Sequence, residues 1–370
     1  LADLHLGWEP AYLPDEKRII RREERDQLLK KAVDYALAPK NNIQAVLIVG
    51  DLFENYSPPD YLVRQIKEQL SRLVTAGLLV VTVPGNHDEI TYRESVYRRH
   101  SEEWPGELVK NALPELVVSQ EINGMSIYIY SLAYTGGVTS IKSLDEYPRR
   151  ETSGLHLGAF HGSLDWEGVN DRSLPLNSNH LAKAGYDYIA LGHYHRYSEK
   201  SVGPGKAVYP GAVEFKSFND PGTGYITVIE YTGSAFKIEN ITMEVRRHFF
   251  REVDISGFAT EEELYTYCLQ FADEEAMLHL NLIGTPLFAV RTEKLIDLLD
   301  SHFFYLEIEN SAQFFAESFL DSIAQEPTVR GEYVRRMHHR QKEAATEQEQ
   351  KLLKQALLKG LAALEGSDLK

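Results

Sequence analysis

Two hydrophobic rhythms alternate along the first part of the chain. Between Arg22 and Leu37 the apolar positions Leu28, Leu29, Ala32, Val33, Ala36 and Leu37 recur at helical spacing with charges between them, which predicts an amphipathic helix. An unbroken apolar run of strand length, Ala45 to Val49, follows and ends in Gly50-Asp51. A second helix, from about Asp60 to Ala76, carries Leu62, Ile66, Leu70, Leu73 and Val74 on one face, with Pro58-Pro59 before it and Gly77 after it. Leu78 to Val83 is then a second buried strand, and it delivers Pro84-Gly85-Asn86-His87-Asp88. This alternation predicts a largely parallel α/β layer with right-handed connections.

After a polar stretch from Tyr92 to Pro114, helical or irregular and containing Arg98-Arg99-His100, the elements shorten. Ser126 to Leu132 and Leu155 to Phe160 read as strands, the second ending at His161, with a surface loop from Gly136-Gly137 to Arg150 between them. A short helical piece, Leu181 to Ala184, is closed by Gly185, and the strand Tyr188 to Leu191 ends at Gly192-His193-Tyr194-His195. Ala207 to Tyr209, Gly224 to Tyr231 and Ala235 to Ile241 suggest a β meander that finishes the domain. A small α/β unit follows: strand Val245 to Ile255, helix Thr260 to Ala272, strand Met277 to Ile283, helix Thr292 to Asp300 and strand Phe303 to Ile308. Beyond Pro327 the chain is nearly all helix former, with Leu352, Leu353, Ala356, Leu357, Leu361 and Leu364 in a stripe that either packs on its own domain or offers a face to a partner. The expected division is 1–244, 245–312 and 313–370.

Composition narrows the class. A chain of 370 residues with 43% hydrophobic positions has room for a sizeable core. Its single cysteine, Cys268, excludes an intrachain disulfide framework and reads as a packed small apolar side chain; a reducing, cytoplasmic setting fits. No apolar run approaches a membrane span. A net charge of −16 argues against a surface that attracts nucleic acid everywhere, so any DNA contact would use a local basic patch, a metal centre or a partner.

The candidate chemistry follows from placement. Asp51, Asn86, His161 and the pair His193 and His195 each stand directly after an apolar strand, and so should meet at one sheet edge. Asp3 and His5, two apart in extended chain, would point the same way and join them, although the strand that should deliver them is absent, which suggests residues upstream of Leu1. Any one of these residues alone reads as a loop or satisfied buried polar group; together, seven nitrogen and oxygen donors without a cysteine suit two divalent metal ions such as manganese, iron, zinc or cobalt.

Asp3-x-His5, Gly50-Asp51, Gly85-Asn86-His87-Asp88, His161 and Gly192-His193-x-His195 resemble the ordered motifs of the calcineurin-like metallophosphoesterases. Within that superfamily, Ala2-Asp3-Leu4-His5-Leu6-Gly7, Gly50-Asp51-Leu52-Phe53 and Tyr209-Pro210-Gly211-Ala212 resemble the SbcD-type DNA repair exonucleases, including the YhaO-like branch. The resemblance implies a layered αββα sandwich with a small α/β capping domain and C-terminal helices. It implies one metal held by Asp3, His5, Asp51 and His195 and another held by Asp51, Asn86, His161 and His193, manganese foremost, with Asp51 bridging. His87 would serve the leaving oxygen and Asp88 would fix its tautomer, as the catalytic pair.

The implied activity is two-metal hydrolysis of DNA, 3′ to 5′ exonucleolytic with endonuclease action on structured or single-stranded ends, in DNA repair. The implied partners are DNA, an SbcC-type ATPase at the C-terminal helices, and a second copy of the chain. Arg246-Arg247-His248 and Arg251 could touch phosphates, with a solvated strand face as the plainer reading; the same holds for Arg335-Arg336-Met337-His338-His339-Arg340 on its helix. A phosphatase or phosphodiesterase of small nucleotides or phosphoproteins would use the same ligands, and a scaffold without activity would be expected to have lost some of them.

Overall fold

A computed structural model describes residues 1–136, 146–165, 173–218, 220, 224–233, 235–284, 286, 290–312 and 317–364. Most of the surface loop expected before Arg150 lies outside the described residues. Among the described residues the chain separates into two compact units, Leu1–Val245 and Arg246–Lys370.

The first unit is built on two sheets. Ala45–Val49, Leu79–Val83 and Glu107–Leu108 form a parallel three-stranded sheet, whose register sets Val49 against Val83. Six strands form the other sheet, in the order Ser198–Val202, Gly205–Tyr209, Tyr188–Gly192, Leu155–His161, Met125–Ser131, Glu115–Ile122. Its four central strands run parallel, with His161 opposite Gly192. Ile48, Val81, Ile129, Ala159 and Ala190 belong to one continuous buried layer to which both sheets contribute. Leu29, Val33, Leu62 and Leu70 extend that layer onto the helices Leu28–Leu37 and Asp60–Thr75, and a second cluster puts Leu181 and Ala184 of Ser178–Ala184 against Phe160 and Leu191. The result is the layered αββα sandwich that the resemblance implied.

Three expectations change. The first helix begins at Asp15 and is interrupted at Gln27, giving Asp15–Asp26 and Leu28–Leu37. Its early turns bury Arg21 and Arg25 instead of apolar side chains, so hydrophobic spacing does not reveal them. The expected meander is divided: Gly205–Tyr209 lies parallel to Tyr188–Gly192 within the large sheet, while Tyr225–Tyr231 and Phe236–Thr242 make a separate two-stranded ribbon. Ser198–Val202, the antiparallel partner of Gly205–Tyr209, is exposed at its first four positions, which hides an edge strand from a reading based on apolar runs. Glu115–Ile122 escaped for the same reason, although the Asn123-Gly124 pair, with φ of 52° and 78°, is the turn that joins it to Met125–Ser131.

The second unit holds a parallel sheet with Asp273–Ile283 between His248–Asp254 and Phe303–Asn310. Glu261–Cys268 and Thr292–Leu299 supply Leu264, Cys268, Leu295 and Leu299 to its core. Burial pushes the Cys268 thiol up to about 12, so it packs as an inert apolar group. In Glu317–Ala324, Val329–Glu343 and Glu347–Leu364 a separate cluster joins Leu320, Ile323, Val334, Met337, Leu353, Leu357 and Leu361. The terminal stripe therefore packs largely on its own helices, leaving Leu352 and Leu364 exposed.

Candidate metal centre

Both sheets present their carboxyl ends to one place. His161, the last residue of its strand, donates from Nδ1 to the Val49 carbonyl of the other sheet at 2.9 Å. Beside Ala45–Val49 runs the segment from Leu1 to Leu6, held by Val49 N to Leu1 O at 2.8 Å, Asp3 N to Gly50 O at 3.2 Å and His5 N to Asp51 O at 2.9 Å. Asp3 and His5 reach the centre, but not from extended chain: their φ values are 53° and 50°. Asp51 at 50° and His193 at 107° also have left-handed backbone, which L side chains with a Cβ rarely adopt. Four of the expected ligands thus share a conformation that the surrounding packing must enforce.

The structure brings all seven together. His5 Nε2 is 3.2 Å from His195 Nε2 and 3.8 Å from Asp51 Oδ2. His161 Nε2 is 3.4 Å from Asp51 Oδ2 and 3.0 Å from Asn86 Oδ1, and His193 Nδ1 lies 3.0 Å from that same amide oxygen. The His193 amide donates to both Asp3 oxygens at 3.1 Å. Donor atoms of Asp3, His5 and His195, of Asp3, Asp51 and His161, and of His5, Asp51 and His87 form three overlapping groups, each within 4.8 Å.

These contacts fit cations. His161 Nδ1 donates to Val49, so in its neutral form Nε2 carries a lone pair, and that lone pair faces the lone pairs of Asn86 and Asp51. His5 Nδ1 sits 2.9 Å from a Glu54 carboxylate oxygen and His195 Nδ1 sits 3.4 Å from Asp220; in the neutral tautomers that carry their protons on Nδ1, the two Nε2 atoms also confront each other as acceptors. Acceptors packed against acceptors in a buried site are costly unless positive charge lies among them. Without a metal, protons must serve. Burial opposes charge on His161, yet Asp51 holds its pKa up to about 9. Burial depresses His5 to about 3 and His193, with His161 beside it, to about 4, which keeps both rings in the neutral form that ligates metal.

Among the described residues, His87 and Asp88 part company. Asp88 is fully buried and accepts from Gly85 N at 2.7 Å, Phe53 N at 3.1 Å and the Tyr97 hydroxyl at 2.7 Å. It staples the loop that carries Asn86, and these contacts go to the backbone and Tyr97 and not to the imidazole. His87 Nδ1 is instead 2.9 Å from the Glu54 backbone carbonyl, and its amide donates to Asp51 Oδ1 at 2.9 Å. With a side chain 33% exposed, His87 is the open member of a centre whose His5, Asp51 and His161 are 1–3% exposed.

The sequence profile of the calcineurin-like phosphoesterases matches residues 1–197. The chain belongs to this family. Calcineurin-like phosphoesterases are metal-dependent hydrolases. It is 26% identical to the metallophosphoesterase YhaO of Bacillus subtilis over 61% of the chain and 55% of that protein. It thus spans about half of YhaO. With DNA double-strand break repair proteins Mre11 it shares 23% identity in Thermoplasma acidophilum, over 76% of each chain, and 28% in Aeropyrum pernix, over 69% of this chain and 63% of that one. No described helix is long and apolar enough to cross a membrane.

Around the phosphoesterase centre stand residues that the motifs did not announce. Against burial, His5 and Lys216 hold the Glu54 carboxyl down to about 2, and Lys216 Nζ donates to both its oxygens at 2.9 and 2.7 Å. Arg25, fully buried, donates to the carbonyls of Leu4 and Phe215 and lies 4.6 Å from the centre of the Trp8 ring. Arg21 and Glu214 form a buried pair alongside. These contacts tie the segment bearing Asp3 and His5 to the loop that carries Lys216 and Asp220. Their one sequence signal is a run of arginines at helical spacing, which solvated helices also show.

Proposed function

We propose that this chain is a two-metal phosphodiesterase acting on DNA, an exonuclease of 3′ to 5′ polarity with endonuclease action. The observation that supports it is the convergence of buried donor atoms, His5 Nε2 on His195 Nε2 at 3.2 Å and His161 Nε2 on Asn86 and Asp51 at 3.0 and 3.4 Å, which needs positive charge, from protons or from metal, at its centre. Asp3, His5, Asp51 and His195 would hold one ion and Asp51, Asn86, His161 and His193 the other, manganese foremost. When bound, such ions polarise a phosphoryl oxygen and lower the pKa of a water. The chain itself braces three of the rings: Val49, Glu54 and Asp220 stand behind those of His161, His5 and His195. His87, with Nδ1 held by the Glu54 carbonyl and a side chain 33% exposed, would protonate the departing oxygen from Nε2. DNA as substrate is supported by the names of the Mre11 relatives.

An SbcC-type ATPase at the C-terminal helices and a homodimer belong to the same reading; exposed Leu352 and Leu364 give the former a surface. The net charge of −16 favours a second reading, hydrolysis of small nucleotides or phosphoproteins. A manganese-dependent assay on labelled single-stranded and duplex DNA, run beside a phosphatase substrate, separates the two. DNA cleavage that is absent from Asp51→Ala is expected. Release of phosphate with no cut in either DNA would overturn the proposal.

A further inference from the structure

The first unit contains a cavity of about 640 Å³ lined by Ile90, Thr91, Arg93, Arg98, Ser101, Lys110, Ala112 and Thr135. Its wall continues the catalytic loop, since Ile90 and Thr91 follow Asp88 by two and three residues. On another side Thr135 follows Tyr134, whose amide donates to Pro84 at 3.3 Å. Three cations line it, on a chain whose net charge is −16. Neighbouring cations are neutralised: Arg99 Nη1 lies 3.3 Å from Asp60, and Lys67 lies 3.0 Å from Glu103. Arg93, Arg98 and Lys110 have no carboxylate partner among the described residues, although all three are exposed. Like charges gathered around one cavity repel one another, and an anion relieves that repulsion.

Tyr92, between the lining residues Thr91 and Arg93, stacks on Tyr56 with ring centres 4.3 Å apart and planes at 30°. Both rings are open to solvent, at 47% and 37% exposure. Tyr56 lies two residues beyond Glu54, the residue whose carbonyl holds His87. Exposed aromatic faces beside clustered cations are the two components that hold single-stranded nucleic acid, the first taking bases and the second phosphates.

We infer that the Arg93, Arg98 and Lys110 cavity binds backbone phosphates of a single DNA strand that enters the metal centre, and that the Tyr56 and Tyr92 pair stacks one of its bases. This rests on the DNA reading above. Thr91 Oγ1 donates to Glu89 at 2.8 Å and Ser101 Oγ to Glu102 at 3.4 Å, so the three cations, and not these hydroxyls, carry the anion contact. It places the strand contact in a local basic patch, where the acidic surface as a whole offers none.

The test is fluorescence anisotropy of a labelled fifteen-nucleotide thymidine oligomer with the full chain, in calcium to suppress cleavage, across a salt series. Each phosphate contact on a single strand contributes about 0.7 to the slope of log affinity against log salt, so Arg93→Gln/Arg98→Gln/Lys110→Gln should lower that slope by about 2. Tyr92→Ala should weaken binding roughly tenfold with the slope unchanged, and Tyr92→Phe should restore it. Melting temperature and metal content verify that each variant is folded. If wild type binds the oligomer and the triple variant matches it in affinity and slope, the cavity is not the contact, while the DNA reading stands. If wild type neither binds nor cuts DNA, both fall. In a parallel calorimetric titration with dAMP, loss of mononucleotide binding in the triple variant alongside intact oligomer binding would assign the cavity to free nucleotides and overturn the inference.

Discussion

Replacing Gly192 by alanine tests how tightly the two sheets are clasped at the metal centre. A Cβ at this position would collide with the Val49 carbonyl oxygen and stand 2.8 Å from His161 Nδ1 and 3.1 Å from the Ala2 Cβ. None of these neighbours is a flexible tip. The first two are the partners of the 2.9 Å bond that aims His161 at the centre, so relief requires parting Tyr188–Gly192 from Ala45–Val49 and breaking that bond. Overpacking costs about 1–3 kcal/mol. A buried carbonyl left without its donor costs about another 1–3 kcal/mol. At about 2–4 °C per kcal/mol for a unit of this size, the apo melting temperature should fall on the order of 10 °C. Because His161 loses its orienting partner, manganese affinity should fall about 10- to 100-fold. Calorimetric melting in EDTA and titration with manganese read the two effects. Gly77→Ala is the control: its φ of +84° strains an alanine, but nothing lies within 4 Å of the new methyl. That variant should lose only about 1 kcal/mol. A Gly192→Ala protein that melts within 2 °C of wild type and binds manganese equally would refute the close approach on which the geometry of the centre depends.

His87→Ala should retain both metals by elemental analysis while turnover falls about 10²- to 10⁴-fold, and wild-type turnover would remove His87 from the chemistry. Glu54→Gln should weaken manganese binding about tenfold or more, since His5 Nδ1 loses the carboxylate 2.9 Å away; unchanged affinity in a calorimetric titration would show that His5 needs no such support. Metal affinity should rise with pH from 6 toward 9, because the apo centre holds a proton on His161 up to about 9 and a metal must displace it. The sign follows from competition: below about 9 the proton is bound and opposes the metal, and above that value the opposition ends. Titrations in buffers of differing ionisation enthalpy count the released protons, and an affinity flat across this range would contradict the assignment.

How much of this was legible in the sequence depends on whether a residue's job shows in its own neighbours along the chain. Strand Ala45–Val49 and the parallel order of the central strands follow from apolar runs, and Asp51, Asn86, His161 and His193 follow from their positions just past those runs. A parallel α/β edge collects whatever stands at its strand ends, so one-dimensional position carried three-dimensional information. Edge strands such as Ser198–Val202 carry no such mark, because their outward faces meet water.

Asp88 shows why motif adjacency misleads where topology does not. In sequence it touches His87, which suggests a proton-handling pair. In space its carboxylate collects Gly85, Phe53 and Tyr97, while His87 is held by Glu54 from a different loop. An inward acceptor is what a loop with unpaired backbone donors requires, since the Gly85 and Phe53 amides would otherwise be buried without partners. The same accounting explains Arg25, which answers the carbonyls of Leu4 and Phe215 across some 190 residues of chain. The proposed metal ligands are thus readable because the sheet edge assembles them in order. The residues that make their strained backbone tenable are chosen by whichever donor or acceptor remained open after folding, and that choice is invisible until the loops are set side by side.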